Sequence, residues 1–165
     1  MTTTSRASET REVSQQRISP VSLPAERVVL GGLIEAPELL SQAAASGLAV
    51  NDFSLSDHRR IFAAILALVE TKSPIDYVLV AEQLGGSQGD YVVVSSLLEG
   101  IVIERAHILH HVALVRKKSK LRQLERMGAG LVTSATETGA DPDKIAALIR
   151  EQLHCIVPAG VAHHV

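Results

Sequence analysis

Aromatic residues are nearly missing from this chain: two Phe, two Tyr and no Trp amount to 2% of 165 residues. A core must therefore be built from Ala, Val, Leu and Ile, within an apolar share of 46%, which favours closely packed helices. One cysteine, Cys155, excludes an internal disulfide framework and fits a reducing compartment. No uninterrupted apolar run approaches the roughly 18 residues of a membrane span, and the opening MTTTSRASETREVSQQR lacks the apolar stretch of a signal peptide. A soluble, cytoplasmic protein is expected. Charge of one sign is also lacking: a net charge of −2 predicts neither a general nucleic-acid binder nor an acidic solvating chain. A phosphate-cradling loop needs glycines, a lysine and a following Ser or Thr at fixed spacing, and no segment supplies it. The GGSQGD stretch beginning at Gly85 has the glycines without the lysine and follows no strand, so it reads as a connector. The sequence thus predicts no catalytic residue and no cofactor.

What is present is organised around residues 53–76, FSLSDHRRIFAAILALVETKSPID. Ser54, with Asp57 three residues on, predicts a helix start capped by the serine side chain. Ile61, Phe62, Ile65, Leu66, Leu68 and Val69 recur at the three- and four-residue spacing of one broad face, wide enough to be nearly surrounded. Both phenylalanines, Phe53 and Phe62, lie in this segment, which reads as the central core helix. Lys72, Ser73 and Pro74 are expected to end it, because the residue before proline is pushed out of the α region. Asp76 is placed to cap the next helix.

Residues 1–21 offer almost nothing to bury and are expected to form a flexible tail, as are 158–165. Pro24 suits the first turn of a helix, with Glu26 at the positive end of its dipole and Val28, Val29, Leu33 and Ile34 as its buried stripe. Gly31 and Gly32 would weaken that helix unless a neighbour needs the room, so they read as close-packing sites. A second helix is predicted from Pro37 to a left-handed stop at Gly47. A short helix from Tyr77 to Leu84 ends at Gly85 and Gly86. Tyr91 to Leu98, YVVVSSLL, is rich in β-branched residues but has no partner strand, and is read as a buried helix.

Taken together, Pro24-Ala25-Glu26, Val29-Leu30-Gly31-Gly32-Leu33, Asp52-Phe53, His58-Arg59-Arg60-Ile61-Phe62 and Pro74-Ile75-Asp76 resemble the N-terminal domain of DnaB-type replicative DNA helicases. Val115, Arg116, Lys118, Leu121 and Arg122 look like that family's segment leading into a helical hairpin. The resemblance spans roughly residues 22–157, and within it Glu26, Gly31, Phe53, His58, Ile61, Phe62, Asp76 and Arg122 fall on family-motif or core positions. It implies an all-α fold: a small globular helical head, residues 22–103, followed by an antiparallel helical hairpin, residues 104–157. It also implies that the family's ATPase belongs to a separate RecA-like domain, for which this chain carries no motif. None of Phe53, His58, Ile61, Phe62 and Asp76 has a chemical partner legible in sequence; His58 reads most simply as a hydrogen-bonded residue in its helix's first turn.

The later residues support a hairpin on their own. Residues from about 104 to 136 read as one long helix with Leu114, Leu121, Leu124, Leu131 and Ala135 on a heptad-like seam. Gly128 and Gly130 would mark a bend or a close crossing. Gly139, Asp141 and Pro142 predict a turn and a new helix start, and Ile145, Leu148, Ile149, Gln152, Leu153 and Ile156 mark its face. An apolar face on such a hairpin is most simply buried against a second copy, so Leu114, Leu121, Leu124, Leu131, Ile145, Leu148, Ile149 and Leu153 are the expected self-association residues.

Glu104, His107 and His111, with His110 adjacent, could approach one metal from a helix, but four ligands with outer support are not identifiable, and a solvated or interface face is favoured. Cys155 beside His154 lacks an orienting partner for a nucleophile. Six basic residues against one acid between Arg116 and Arg126 are the best nucleic-acid candidate, with Arg116, Lys117, Lys118 and Lys120 foremost; no aromatic residue interleaves to stack bases, and a helix should spread the charges around its axis. The leading expectation is a non-catalytic replication module that forms a homodimer or higher homo-oligomer and docks a primase, a helicase loader or a full-length helicase. The alternatives are a stand-alone DNA-binding or regulatory protein, or a fragment of a full replicative helicase.

Overall fold

The computed structural model describes residues 20–100 and 102–156, so the expected tails lie almost wholly outside the described residues. The described residues form seven α-helices and short 3-10 turns, with no strand among them. Helix α1 (Leu23–Glu35) is followed by a 3-10 turn, Pro37–Leu39, and α2 (Leu40–Ala45). After the 3-10 turn Val50–Asp52 come α3 (Ser56–Glu70), α4 (Tyr77–Leu84) and α5 (Gln88–Ser95). The long α6 (Ile108–Thr136) and α7 (Pro142–Ile156) complete the described residues. The fold is all-α, a helical head carrying an antiparallel hairpin.

Local chemistry accounts for most of the element ends. Asp76 Oδ1 accepts the Leu79 amide at 2.8 Å and starts α4. Ser87 and Asp90 exchange side-chain and backbone hydrogen bonds as a capping box, so the second half of GGSQGD opens α5 rather than continuing the connector. Asp141 Oδ1 accepts the amides of Asp143 and Lys144 ahead of α7. Two expected ends are corrected. Ser54 does not cap α3, which starts two residues later behind Leu55 with no side-chain cap; the Ser54 amide is drawn instead to Glu26. Nor does Pro74 stop α3. Lys72 takes a left-handed conformation (φ 56°), and the Ser73 amide reaches back to the Leu68 carbonyl at 2.9 Å, a left-handed C-terminal cap that closes the helix before the proline is reached.

The core is aliphatic around one aromatic pair. Phe53 and Phe62 are fully buried with ring centroids 5.1 Å apart and planes tilted by 42°, a contact of about 0.5–1.5 kcal/mol beyond area burial. Val29, Leu30 and Leu33 of α1, Ile61 and Ile65 of α3, Val80 of α4, Val94 of α5 and Leu97 pack with them. The buried face of α3 is narrower than its pattern suggests, since Leu66 is only partly covered and Val69 is exposed. The helix over 91–98 forms, but only Val94 and Leu97 are buried, and Val92 faces outward.

The expected close packing at Gly31 and Gly32 is a feature of the structure. A Cβ on Gly31 would stand 2.7 Å from Ile103 Cδ1, and one on Gly32 2.7 Å from Ile108 Cδ1. Helix α6 thereby lies directly on α1, burying Ile108, Val112, Val115 and Ser119. Its first three turns belong to the head core, beyond the boundary expected at residue 104. The helix also starts later than expected: Arg105–His107 form a 3-10 turn, held by Arg105 donating to the Glu35 carbonyl at 2.9 Å and pairing with Glu38 at 3.3 Å. Gly128 and Gly130 do not break α6, and a Cβ at either would meet no atom of another element within 4 Å, although Gly130 lies on the wall of a groove beside α7.

Candidate functional site

Three surfaces deserve the name of site by their chemistry, and the first lies along the hairpin. After the turn at residues 137–141, α7 runs back along the second half of α6. The two arms do not close on each other fully. Met127, Leu131 and Ser134 of α6 and Ile145, Leu148 and Ile149 of α7 line an open, mainly apolar groove of about 670 Å³. Leu148 is 49% exposed, Leu153 39% and Val132 65%. Of the expected self-association residues, the structure brings together Leu131, Ile145, Leu148 and Ile149 along this groove. Leu124 is half-buried nearby in sequence, and Leu153 is exposed on α7. Two others are placed elsewhere. Leu114 packs against the head core, because α6 has not yet left the head at that point. Leu121, 41% exposed, lies on a different side with Ala113, Arg116, Lys117 and Lys120.

The second surface holds half of the basic run, since the helix spreads the six cations over more than one side and Arg122 and Arg126 line a different pocket. Arg116, Lys117 and Lys120 share one shallow depression. Lys118 is not part of it. Arg116 is also a packing residue, with its guanidinium over Gly47, whose φ of 83° provides the left-handed stop after α2.

The third surface is where the motif residues converge, and sequence reasoning missed how. Glu26, only 1% exposed, accepts the Ser54 amide on both oxygens, at 3.0 and 3.1 Å, and His58 Nδ1 at 2.7 Å. Burial acts to raise the carboxyl pKa, but the hydrogen bonds from His58 and Ser54 and the charge of His58 outweigh it and hold the group below its ordinary value. Glu26 is thus a tie between α1 and the start of α3, rather than only a favourable charge at a helix end, and His58 does have a chemical partner. Arg122 adds a second tie, donating through Nη1 to the Pro20 carbonyl at 3.0 Å and through Nη2 to the Asp52 carbonyl. Asp52 in turn accepts the Ala49 amide at 2.9 Å. Phe53, Ile61 and Phe62 are core, Gly31 is a packing site beneath the Tyr77 hydroxyl, and Asp76 is a cap. Burial, and secondarily Glu35, push the Tyr77 phenol up to about 12, so it stays a neutral donor.

The histidine-rich stretch is an exposed face, with Glu104 and His107 outside the helix that the sequence assigns them to. Glu104 precedes the 3-10 turn, outside α6, and pairs with His107 at 2.8 Å on an exposed surface, while His110 meets the His107 ring edge-on. Among the described residues no three His, Cys, Asp or Glu side chains converge on a point. The side chains of His154 and Cys155 lie outside the described residues. No single helix among the described residues is long and apolar enough to cross a membrane.

Comparison with known proteins agrees with this geometry. The chain is 31% identical over 125 residues to the replicative DNA helicase DnaB of Geobacillus stearothermophilus, a match over 73% of this chain and 27% of that protein. It is 28% identical over 120 residues to the replicative DNA helicase DnaC of Bacillus subtilis (strain 168), over 70% of this chain and 26% of that protein. The chain therefore spans about a quarter of the length of these curated relatives. The crystal structure of the N-terminal domain of DnaB helicase from Mycobacterium tuberculosis superposes with a TM-score of 0.72 at 25% identity, covering 84% of this chain and 99% of that one. A family model, the DnaB-like helicase N terminal domain, matches residues 18–117, and with the shared fold this places the chain in the DnaB-like helicase N-terminal domain family.

Proposed function

We propose that the chain acts as a non-catalytic module of DNA replication, associating with copies of itself through the hairpin and offering the outside of the head to a primase or helicase loader. The observation that carries the reading is the open apolar groove between α6 and α7, lined by the exposed Leu148. A groove of that kind on a small domain is a liability in water unless a partner covers it. Family membership supports the replication context, and the part of the family that this chain matches is the N-terminal domain. In this reading the head is a rigid platform, fixed by the Glu26 and Arg122 ties, and it performs no bond chemistry itself. A primase C-terminal helical domain should co-purify with the chain, and light scattering at tens of micromolar should give a mass above the 17.6 kDa of one copy. A strict monomer that retains no primase domain would remove the proposal.

A second reading has one specific observation behind it, the clustering of Arg116, Lys117 and Lys120 on one side of α6. On this reading the surface contacts DNA phosphates, and affinity must fall steeply with salt. Charge reversal at Lys117 and Lys120 that leaves low-salt DNA binding unchanged would exclude it.

A further inference from the structure

A pocket of about 490 Å³ lies between α6 and the segment that joins α2 to α3, and three of its eight lining residues are arginines: Arg59, Arg122 and Arg126. Asn51, Gln123, Ser54, Phe53 and Glu125 complete it. Arg59 and Arg126 reach it from exposed positions. Arg122 is half-buried, and its pKa is lowered first by burial and then by the like charges of Arg126 and Arg59, with Glu26 and Asp52 opposing. Those two carboxylates stand behind Arg122 without lining the pocket, and their oxygens are already engaged by Ser54, His58 and Ala49. Of the groups that line the pocket three are cationic, and Glu125 alone is anionic.

The arginine side chains also keep N–H donors with no protein partner among the described residues. Arg122 directs Nη1 and Nη2 to the Pro20 and Asp52 carbonyls, but each of those nitrogens carries a second N–H. Arg126 uses only Nε, on the Arg122 carbonyl at 3.3 Å. The Arg59 side chain has no hydrogen-bond or ion-pair partner among the described residues, whereas its neighbour Arg60 pairs with both Asp57 and Asp90. The side-chain amides of Asn51 and Gln123 add donors on the rim, and Gln123 has so far only the Ser119 hydroxyl at 3.3 Å.

We infer that this pocket binds a phosphate group carried by a small molecule. Guanidinium forks match phosphate oxygens in pairs, and a phosphate monoester brings a charge of about −1.5 to −2 with three terminal oxygens, enough to engage three arginines where a single carboxylate would leave one unanswered. The shape argues for a small ligand over a nucleic-acid strand. The volume lies within the roughly 300–1,000 Å³ of small-molecule sites, and the charges sit around one concavity instead of following a track. The basic depression at Arg116, Lys117 and Lys120 is a separate surface.

The test uses the full chain at constant ionic strength, titrating inorganic phosphate and, separately, adenosine 5′-monophosphate, with chloride as the matched control. Isothermal titration and thermal shift are the readouts. Saturable binding of phosphate, absent with chloride, is expected, and Arg126→Gln or Arg59→Gln should weaken it at least tenfold while Lys144→Gln, an exposed lysine outside the pocket, leaves it within twofold. These two arginines are chosen because Arg122 also holds the fold together. Tighter binding of the nucleotide than of phosphate would make the pocket a nucleotide site, and equal binding would make it a site for the phosphate group alone; both support the inference. Equal stabilisation by chloride and phosphate, or unchanged binding in Arg126→Gln and Arg59→Gln, overturns it. Arg126 and Gln123 also line the groove between α6 and α7, so Arg59→Gln, which does not touch that groove, separates loss of phosphate binding from loss of self-association.

Discussion

Replacing Glu26 with Gln keeps the shape of a fully buried side chain and one acceptor oxygen, while removing the charge that draws in the Ser54 amide and His58. Hydrogen bonds to a charged group contribute about 1.5–3 kcal/mol, and loss of one partner of a buried charged pair costs about 3–5 kcal/mol. Glu26→Gln should therefore destabilise the head by roughly 2–3 kcal/mol near pH 7, and Glu26→Ala by more, because it orphans the buried Ser54 amide as well. The pH dependence identifies the cause. The folded Glu26 carboxyl titrates below its ordinary value of 4.5. Its contribution is thus complete above pH 4.5 and lost as pH falls through the lower, folded-state value. Urea denaturation of wild type and Glu26→Gln at pH 7, 6, 5, 4 and 3 should show a constant gap down to about pH 5 that narrows below 4.5. A gap below about 0.5 kcal/mol at pH 7, or one that stays constant to pH 3, would refute the role given to this tie.

Three further outcomes follow from particular contacts. Gly32→Ala places a methyl group 2.7 Å from Ile108 Cδ1, which is fully buried and has no free space to swing into; a loss of about 1–3 kcal/mol by thermal or urea unfolding is expected. Asp76→Ala removes the side-chain acceptor of the Leu79 amide and should cost about 1 kcal/mol, with Asp76→Asn recovering most of it. Gly128→Ala adds a methyl group to an open stretch of α6 and should stabilise the isolated chain by up to about 1 kcal/mol. A destabilised Gly128→Ala would mean that something packs on that glycine in solution.

The parts of this fold that could be read from the sequence are those fixed within a few residues of themselves. The Asp76 cap, the glycines after α2 and α4, and the Asp141–Pro142 start of α7 each depend on groups three or four positions apart, and each lies where the sequence places it. Misreadings occur where a distant group competes for the same atoms. Ser54 has the chemistry of a cap, but Glu26, 28 residues earlier, takes its amide. His58 looked partnerless because its partner lies 32 residues away on another helix. Leu114 repeats with Leu121 along a seam, yet the head core claims the first and leaves the second exposed, since the point at which α6 leaves the head is set by α1. The arginine pocket is hidden for the same reason: Arg59 lies far in sequence from Arg122 and Arg126, and only the packing of α3 and α6 on the Val50–Asp52 turn brings them together. The glycines of α6 failed in the opposite direction, because glycine composition signals a bend only where a neighbour or a solvent gap exploits it.

The claim on which most rests is that the groove between α6 and α7 is covered by a second copy of the chain. Sedimentation equilibrium from about 1 to 100 µM, on the wild type and on Leu148→Glu, addresses it directly. A concentration-dependent mass of two or more copies for the wild type, with Leu148→Glu reduced to one copy at unchanged helical content, is the result expected from the exposed leucine on that groove. A wild-type chain that remains a single copy across the whole range, or an assembly that Leu148→Glu leaves intact, would contradict it.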